Sequence, residues 1–404
     1  MFASRTNWPL GPNRFATALE EHRRRARPLL DLTNSNPTTC GICYPEERLF
    51  AALGDRRALR YEPASKGLHE ARIAIADYYR HRTGFFGAAG EIDPERIIIT
   101  SGTSEAYSYL FRLLCEVGDT VLVPAPGYPL FDYLADLADI RTSSYPLLYD
   151  QGWQMDFARL EATLRAGSKA AMVVHPNNPT GSYVKREEGR KLAELCARRE
   201  MAIIADEVFL DYADDSGIHP TFAFDGPALA FTLSGVSKVS LLPQMKLAWI
   251  VVSGPEMLAA AAVARLEVIG DSYLSPSTPG QIALPEMLAI RTNLQAQMRQ
   301  RVCANLAFLD AQLRKGGPVN RLKREGGWYA VLRVPATGSD EDLAVALLEK
   351  CGVLVHPGHF FDFPRDGFLV VSLIVPEADF QEGARRLHRF FFTHNPPATR
   401  ENSP

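Results

Sequence analysis

The chain has 404 residues, of which 46% are hydrophobic and 23% charged, and carries a formal net charge of −3. Such a length exceeds one ordinary core and predicts two domains of a globular protein. The charge balance gives no electrostatic case for nucleic acid. The start, Met1-Phe2-Ala3-Ser4-Arg5, lacks the apolar core of a secretory signal, and no charge-free apolar run is long enough to span a bilayer, so neither a membrane partner nor export is expected and the cytoplasm is the expected location.

In chain order, residues 1–45 show few periodic apolar positions and several turn formers, among them Asn34-Ser35-Asn36-Pro37-Thr38, and read as an arm or loop. Cys40-Gly41-Ile42-Cys43 is followed at once by Tyr44-Pro45, which prevents the helix that a redox motif needs. With no second such pair and no nearby histidine pair, a metal is not expected. Helical spacing runs over Glu46 to Leu53 and Leu68 to Tyr79, with Tyr61 in the polar loop between them. From residue 97 short β-branched runs alternate with helices: Ile97 to Thr100, Thr120 to Val123, Ala171 to Val174, Met201 to Ala205 and Phe231 to Leu233, with helices such as Glu105 to Cys115 and Arg186 to Arg198. That alternation predicts an α/β fold with a largely parallel sheet covered on both faces. A long helix is expected from about Gln281 to Lys315, then a smaller α/β unit ending near Phe392. The predicted division is an arm or small-domain segment over 1–45, a large domain over 46–285, a small domain over 286–394 and a disordered tail over 395–404.

In parallel sheets ligands collect beyond the carboxyl ends of the strands, so chemistry is sought in the residues that follow each run. Lys238 stands in Ser234-Gly235-Val236-Ser237-Lys238, among small residues and hydroxyls, with Lys246 eight positions on. An amine becomes nucleophilic when its pKa is lowered or when it is held as an imine, and these neighbours suit that use. A solvated surface lysine is the bland alternative. Ser101-Gly102-Thr103-Ser104 opens a helix and offers N–H groups to a phosphate, although a plain helix cap explains it as well. Asp206 ends a buried run and needs a cationic partner. Asn178 precedes Pro179 in what could be only a turn, and Tyr128 could stack on a ring or simply pack.

As a set, Asn178-Pro179-Thr180-Gly181, Asp206-Glu207-Val208 and Ser237-Lys238, with Tyr61, Ser101-Gly102-Thr103 and Tyr128 upstream, resemble the class I/II aminotransferases of fold type I over roughly residues 30–392. The resemblance implies a large domain with a mostly parallel sheet of the seven-stranded type between helices, a smaller α/β domain, and pyridoxal 5′-phosphate as cofactor. It implies Lys238 as the Schiff-base lysine, Asp206 on the pyridine nitrogen and Asn178 on the ring oxygen. Ser101, Gly102, Thr103, Ser237 and Lys246 would serve the phosphate, and Tyr128 would lie against the ring. Tyr61 would reach the phosphate of a neighbouring subunit, which implies a homodimer with shared sites. The expected reaction is ping-pong transfer of an amino group from an amino donor to a keto acid.

Four positions depart from the family's pattern. Phe209 replaces a tyrosine that bonds the ring oxygen, Gly235 occupies a place often held by serine, and Lys246 replaces an arginine. Val370 stands where the substrate-carboxylate arginine is usual, so that either another cation such as Arg365 takes over, or the reacting end is not an ordinary α-carboxylate, or a gap shifts the match. Two other readings compete with transamination: a lyase or decarboxylase on the same fold, and a ligand sensor without catalysis.

Overall fold

The computed structural model describes residues 1–215, 217–274 and 276–394; the expected tail at 395–404 lies outside them. Its central sheet has eight strands rather than seven: β1 (Ile97–Thr100), β2 (Thr120–Ala125), β3 (Arg141–Tyr149), β4 (Trp153–Met155), β5 (Ser168–Val174), β6 (Ala202–Asp206), β7 (Ala230–Gly235) and β8 (Ala248–Ser253), in spatial order β1-β8-β7-β6-β5-β2-β3-β4. β3, β2, β5, β6 and β7 are mutually parallel, and the exceptions are β8, antiparallel to both β1 and β7, and β4, antiparallel to β3. β3 opens on Arg141-Thr142-Ser143-Ser144, carries Pro146 in its apolar half and leaves most of its positions partly exposed near the sheet's end, and β4 is only three residues long. That is why hydrophobic pattern alone does not find them.

The parallel strands are apolar at successive positions because both faces are covered. On β6, Ala202 and Ile204 pack with Tyr107, Leu110 and Phe111 of α1 (Thr103–Leu114), while Ile203 and Ala205 pack with Leu192, Ala193 and Cys196 of α2 (Arg186–Arg198). The predicted helix from Gln281 to Lys315 is two helices, α3 (Thr278–Ala289) and α4 (Arg291–Leu313). Pro285 cannot donate within α3, the chain turns at Ile290, and the Arg291 guanidinium donates to the Leu288 carbonyl beside the break.

A smaller antiparallel sheet follows, built from β9 (Asn320–Arg321), β10 (Tyr329–Arg333), β11 (His356–Pro357) and β12 (Phe368–Ser372) in the order β9-β10-β12-β11, with α5 (Asp340–Cys351) and α6 (Glu377–His394) beside it. The amino-terminal segment is not only an arm or loop. It contains the helix Arg14–Arg24, capped by the Asn13 side chain, which accepts from the Ala16 N–H at 2.7 Å, and it docks on α5. Phe15, Ala18, Leu19 and His22 form its inward stripe at helical spacing, a weak signal because only Phe15 and Leu19 are strongly apolar among the surrounding Arg and Glu. Leu30–Asp31 then pairs in parallel with Val353–Leu354, so the first residues of the chain pack with the last.

Gly181 and Gly326 bring a loop of the large sheet against the turn that precedes β10. The Glu325 N–H donates to the Gly181 carbonyl at 3.0 Å, and Gly181 has φ of +70°. A Cβ on Gly181 would stand 2.4 Å from the Gly326 carbonyl oxygen. Gly181→Ala therefore combines left-handed strain with a backbone collision and is expected to cost roughly 2–4 kcal/mol, read as a lower denaturant midpoint at unchanged slope.

Candidate active site

A cavity of about 150 Å³ opens beyond the carboxyl ends of the parallel strands. β5 delivers Val174 and, four residues on, Asn178; β6 delivers Asp206, Val208 and Phe209; the short helix Val236–Val239 after β7 delivers Ser237 and Lys238; α1 delivers Thr103. Tyr128 comes from the loop after β2. Two further lining residues come from distant chain: Ser35 from the amino-terminal segment and Tyr329 from β10. Sequence reasoning noted Asn34-Ser35-Asn36-Pro37 only as a turn and assigned Tyr329 no role. A better signal for the latter was Gly326-Gly327 just before Trp328-Tyr329, a close backbone approach ahead of two aromatics.

Asp206 is 7% exposed. Its Oδ2 accepts from Tyr107 Oη at 2.8 Å and its Oδ1 from the Val208 N–H at 3.1 Å. Burial pushes the carboxyl up, while those two donors and the nearby Lys238 pull it back. Lys238 Nζ lies 5.8 Å from the ring centre of Phe209 and 5.4 Å from that of Trp328. Desolvation lowers the amine's pKa and the Asp206 anion opposes that shift. The backbone of Lys238 is pinned separately, since Tyr212 Oη donates to its carbonyl at 2.7 Å.

The neighbouring polar residues divide into braces and free groups. His175 accepts the Val184 N–H at Nδ1, 2.9 Å, so Nε2 carries the proton that it donates to the Pro220 carbonyl, also 2.9 Å. Burial holds this imidazole neutral, with its pKa lowered to about 3. Asn177 donates to the Pro126 carbonyl and to Thr180 Oγ1. Glu207 accepts from Thr221 Oγ1 and the Phe222 N–H, and burial pushes its carboxyl up to about 7. Asn178, unlike Asn177, lines the cavity, and the Oδ1 of each is buried without a hydrogen-bond partner among the described residues. A buried amide oxygen of that kind is costly unless something in the cavity pairs with the group.

Other residues singled out from the sequence lie at the margin. Ser101 does not line the cavity; its N–H donates to Glu105 at 2.7 Å. A Cβ built on Gly102 would stand 3.9 Å from Lys246 Nζ, so the bare glycine leaves the space between α1 and this lysine open. Lys246 is exposed and held at φ of +50°. Tyr61 is 72% exposed and borders a separate cleft with Gly270 and Gln281. Gly235 has a packing role: a Cβ there would meet the Ala248 Cβ at 2.9 Å and the Leu247 carbonyl at 3.0 Å. Close approach of β7 and β8 thus requires glycine. Val370 faces Val331 across β12 and β10 and is buried with Trp153, Phe361 and Phe363. Arg365 is exposed, its guanidinium 6.0 Å from the Phe368 ring, and does not line the cavity. All six cysteines are free, and no group of three or more potential metal ligands occurs among the described residues.

Residues 33–387 match the family model of the aminotransferases of class I and II. The chain belongs to that family. It is an aminotransferase on the fold-type I scaffold. Its relatives include the glutamate-pyruvate aminotransferase AlaA of Haemophilus influenzae, 30% identical over 93% of each chain, and the alanine aminotransferase of Mycobacterium tuberculosis, 26% identical over 95% of this chain and 90% of the other. The alanine aminotransferase of Pyrococcus furiosus superposes with a TM-score of 0.86 at 20% identity, covering 97% of this aminotransferase and all of the other chain (100%). A Thermus thermophilus aspartate aminotransferase mutant gives 0.82 at 22%, over 96% and 99%. Among the described residues no helix is long and apolar enough to cross a membrane.

The pairing of Asp206 with Lys238 makes a pH prediction for the protein without cofactor. Asp206→Asn removes the anion that favours the ammonium, so the amine, already depressed by burial, falls further and becomes reactive at lower pH. Competitive acylation followed by mass spectrometry of the Lys238 peptide is expected to show half-modification moving down in pH. An upward move would mean that the two side chains do not face each other.

Proposed function

We propose that this aminotransferase uses pyridoxal 5′-phosphate, with Lys238 as its Schiff-base lysine. The observation that carries the proposal is the convergence of a desolvated amine, a buried carboxylate and the Asn178 side chain on one cavity at the strand ends. In the proposed arrangement Asp206 meets the protonated ring nitrogen, Asn178 the ring oxygen and Tyr128 a ring face, while Ser101, Gly102, Thr103, Ser237 and Lys246 serve the phosphate. When bound, the cofactor supplies an electron sink and a carbonyl carbon for the donor's amine. Lys238 Nζ is the group that takes and returns the proton at the donor carbon. Its aromatic neighbours Phe209 and Trp328 exclude water from that amine.

The proposal extends to a homodimer with shared sites. Tyr61 is exposed and remote from its own cavity, as a residue used by a neighbouring copy would be. It also keeps the division near residue 285, with the amino-terminal segment counted with the smaller unit because of its pairing there.

The substrate end is proposed to be neutral. Besides Lys238 the cavity lining contains no arginine or lysine, and its uncharged polar groups include Ser35, Asn178 and Tyr329. β12 contributes only Phe368 to Ser372, so a small shift in alignment brings in no cation. A buried carboxylate that loses its guanidinium forfeits about 3–5 kcal/mol. Plain α-amino acids, and keto acids with the same carboxylate, are therefore expected to bind weakly.

Two experiments test this. Borohydride is expected to fix the cofactor on Lys238, and Lys238→Ala to retain some cofactor while losing turnover; near-normal turnover in that variant removes the central assignment. In a comparison of alanine, alaninamide and 2-aminopropanol as donors, kcat/KM is expected to favour alanine by less than about tenfold, because charge recognition is missing. A preference for alanine of several hundredfold would show that a cation serves the carboxylate.

A further inference from the structure

Tyr107 sits one turn into α1, 2% exposed, with its ring against Phe131 (centroids 5.5 Å apart) and Phe111 (6.1 Å). In those apolar surroundings its hydroxyl donates to the carboxylate of Asp206. With the Val208 N–H on the other oxygen, the two donors hold both ends of the carboxylate and leave it no freedom to rotate. The ionisable groups facing Asp206 are Tyr107 from α1, Tyr128 from the loop after β2, Lys238 from the helix after β7 and Glu207 next to it in the chain. Of these only Lys238 is a base, and it lies on the cavity side, so the buried side of Asp206 depends on Tyr107 and one N–H.

We propose that Tyr107 is a positioning residue, whose hydroxyl keeps the Asp206 carboxylate ionised and aimed at the place where the cofactor's ring nitrogen binds. This rests on the cofactor reading above. Tyr107 touches neither substrate nor cofactor; it acts through Asp206. The same helix then presents Thr103 at its first turn to the phosphate and Tyr107 one turn later to the carboxylate. A hydroxyl donor favours the charged form of a buried carboxylate, and without it the anion would be left short of one hydrogen bond in a site that water does not reach.

The test uses apoprotein and two ligands: pyridoxal 5′-phosphate, and its analogue with carbon in place of the ring nitrogen. Affinity for each is measured over pH by equilibrium dialysis, with a thermal melt to verify folding. Pyridoxal phosphate needs an ionised Asp206, so its binding weakens as acid protonates that group. In Tyr107→Phe the carboxyl is more basic, and this weakening is expected to begin at higher pH by about one unit or more. The carbon analogue, which offers no ring nitrogen, is expected to show no such displacement, and it also controls for titration of the phosphate. In Asp206→Asn the further change Tyr107→Phe is expected to alter nothing. A fluorinated tyrosine at 107, which keeps the shape and strengthens the donor, is expected to move the acid limb down, and it serves if Tyr107→Phe unfolds. An unmoved acid limb, or an equal loss of both ligands at every pH, overturns the proposal and leaves Tyr107 as packing. Wild-type protein that binds neither ligand overturns the cofactor reading and the proposal with it.

Discussion

A carboxylate at the end of a buried strand is a liability that the surrounding fold has to neutralise, and the arrangement around Asp206 follows from that constraint. The register places Val174 opposite Asp206 on one side and Leu233 opposite it on the other. The residues that continue from those neighbours, Asn178 and Lys238, therefore meet at one point although they are far apart in sequence. Tyr107 and the Val208 N–H satisfy the oxygens from the sheet side, and Lys238 faces them from the cavity. Each group is tolerable in a dry site only because the others are present.

A second layer keeps that arrangement in place. His175, Thr180 and Ser182 and the Asn177 amide N–H groups spend their hydrogen bonds bracing the loop after β5, while Asn178 is the member of the group that lines the cavity. The loop in turn touches the turn before β10 through Gly181 and Gly326. The cavity wall formed by Tyr329 is thus tied to the strand ends by backbone contact and by the Glu325 carboxylate, which accepts from the Tyr183 N–H and pairs with Lys185.

The departures from the family's pattern separate into two kinds. Gly235 is explained by the spacing of β7 and β8, where a side chain would collide. Phe209 and Val370 change the chemistry instead: they put apolar surface beside the amine, where Phe209 packs with Trp328, and in the Trp153–Phe361–Phe363 cluster. The cavity that results is sparing in charge, with Lys238 and Asp206 as its acid–base pair.

The sequence by itself determined the parallel core, because a strand buried on both faces must be apolar throughout, and it located Asn178, Asp206, Ser237 and Lys238, because chemistry collects where such strands end. It also carried the family, through the order and spacing of those short motifs. It did not reveal β3 or β4, the one half polar and broken by Pro146 and the other only three residues long, nor the helix Arg14–Arg24, whose inward stripe has only Phe15 and Leu19 as strongly apolar members. Only the tertiary structure decided that Ser35 and Tyr329 complete the cavity, that Tyr107 holds Asp206, and that Arg365 stays outside. Those are contacts between segments far apart in the chain, and spacing within one segment does not encode which distant segment will pack against it.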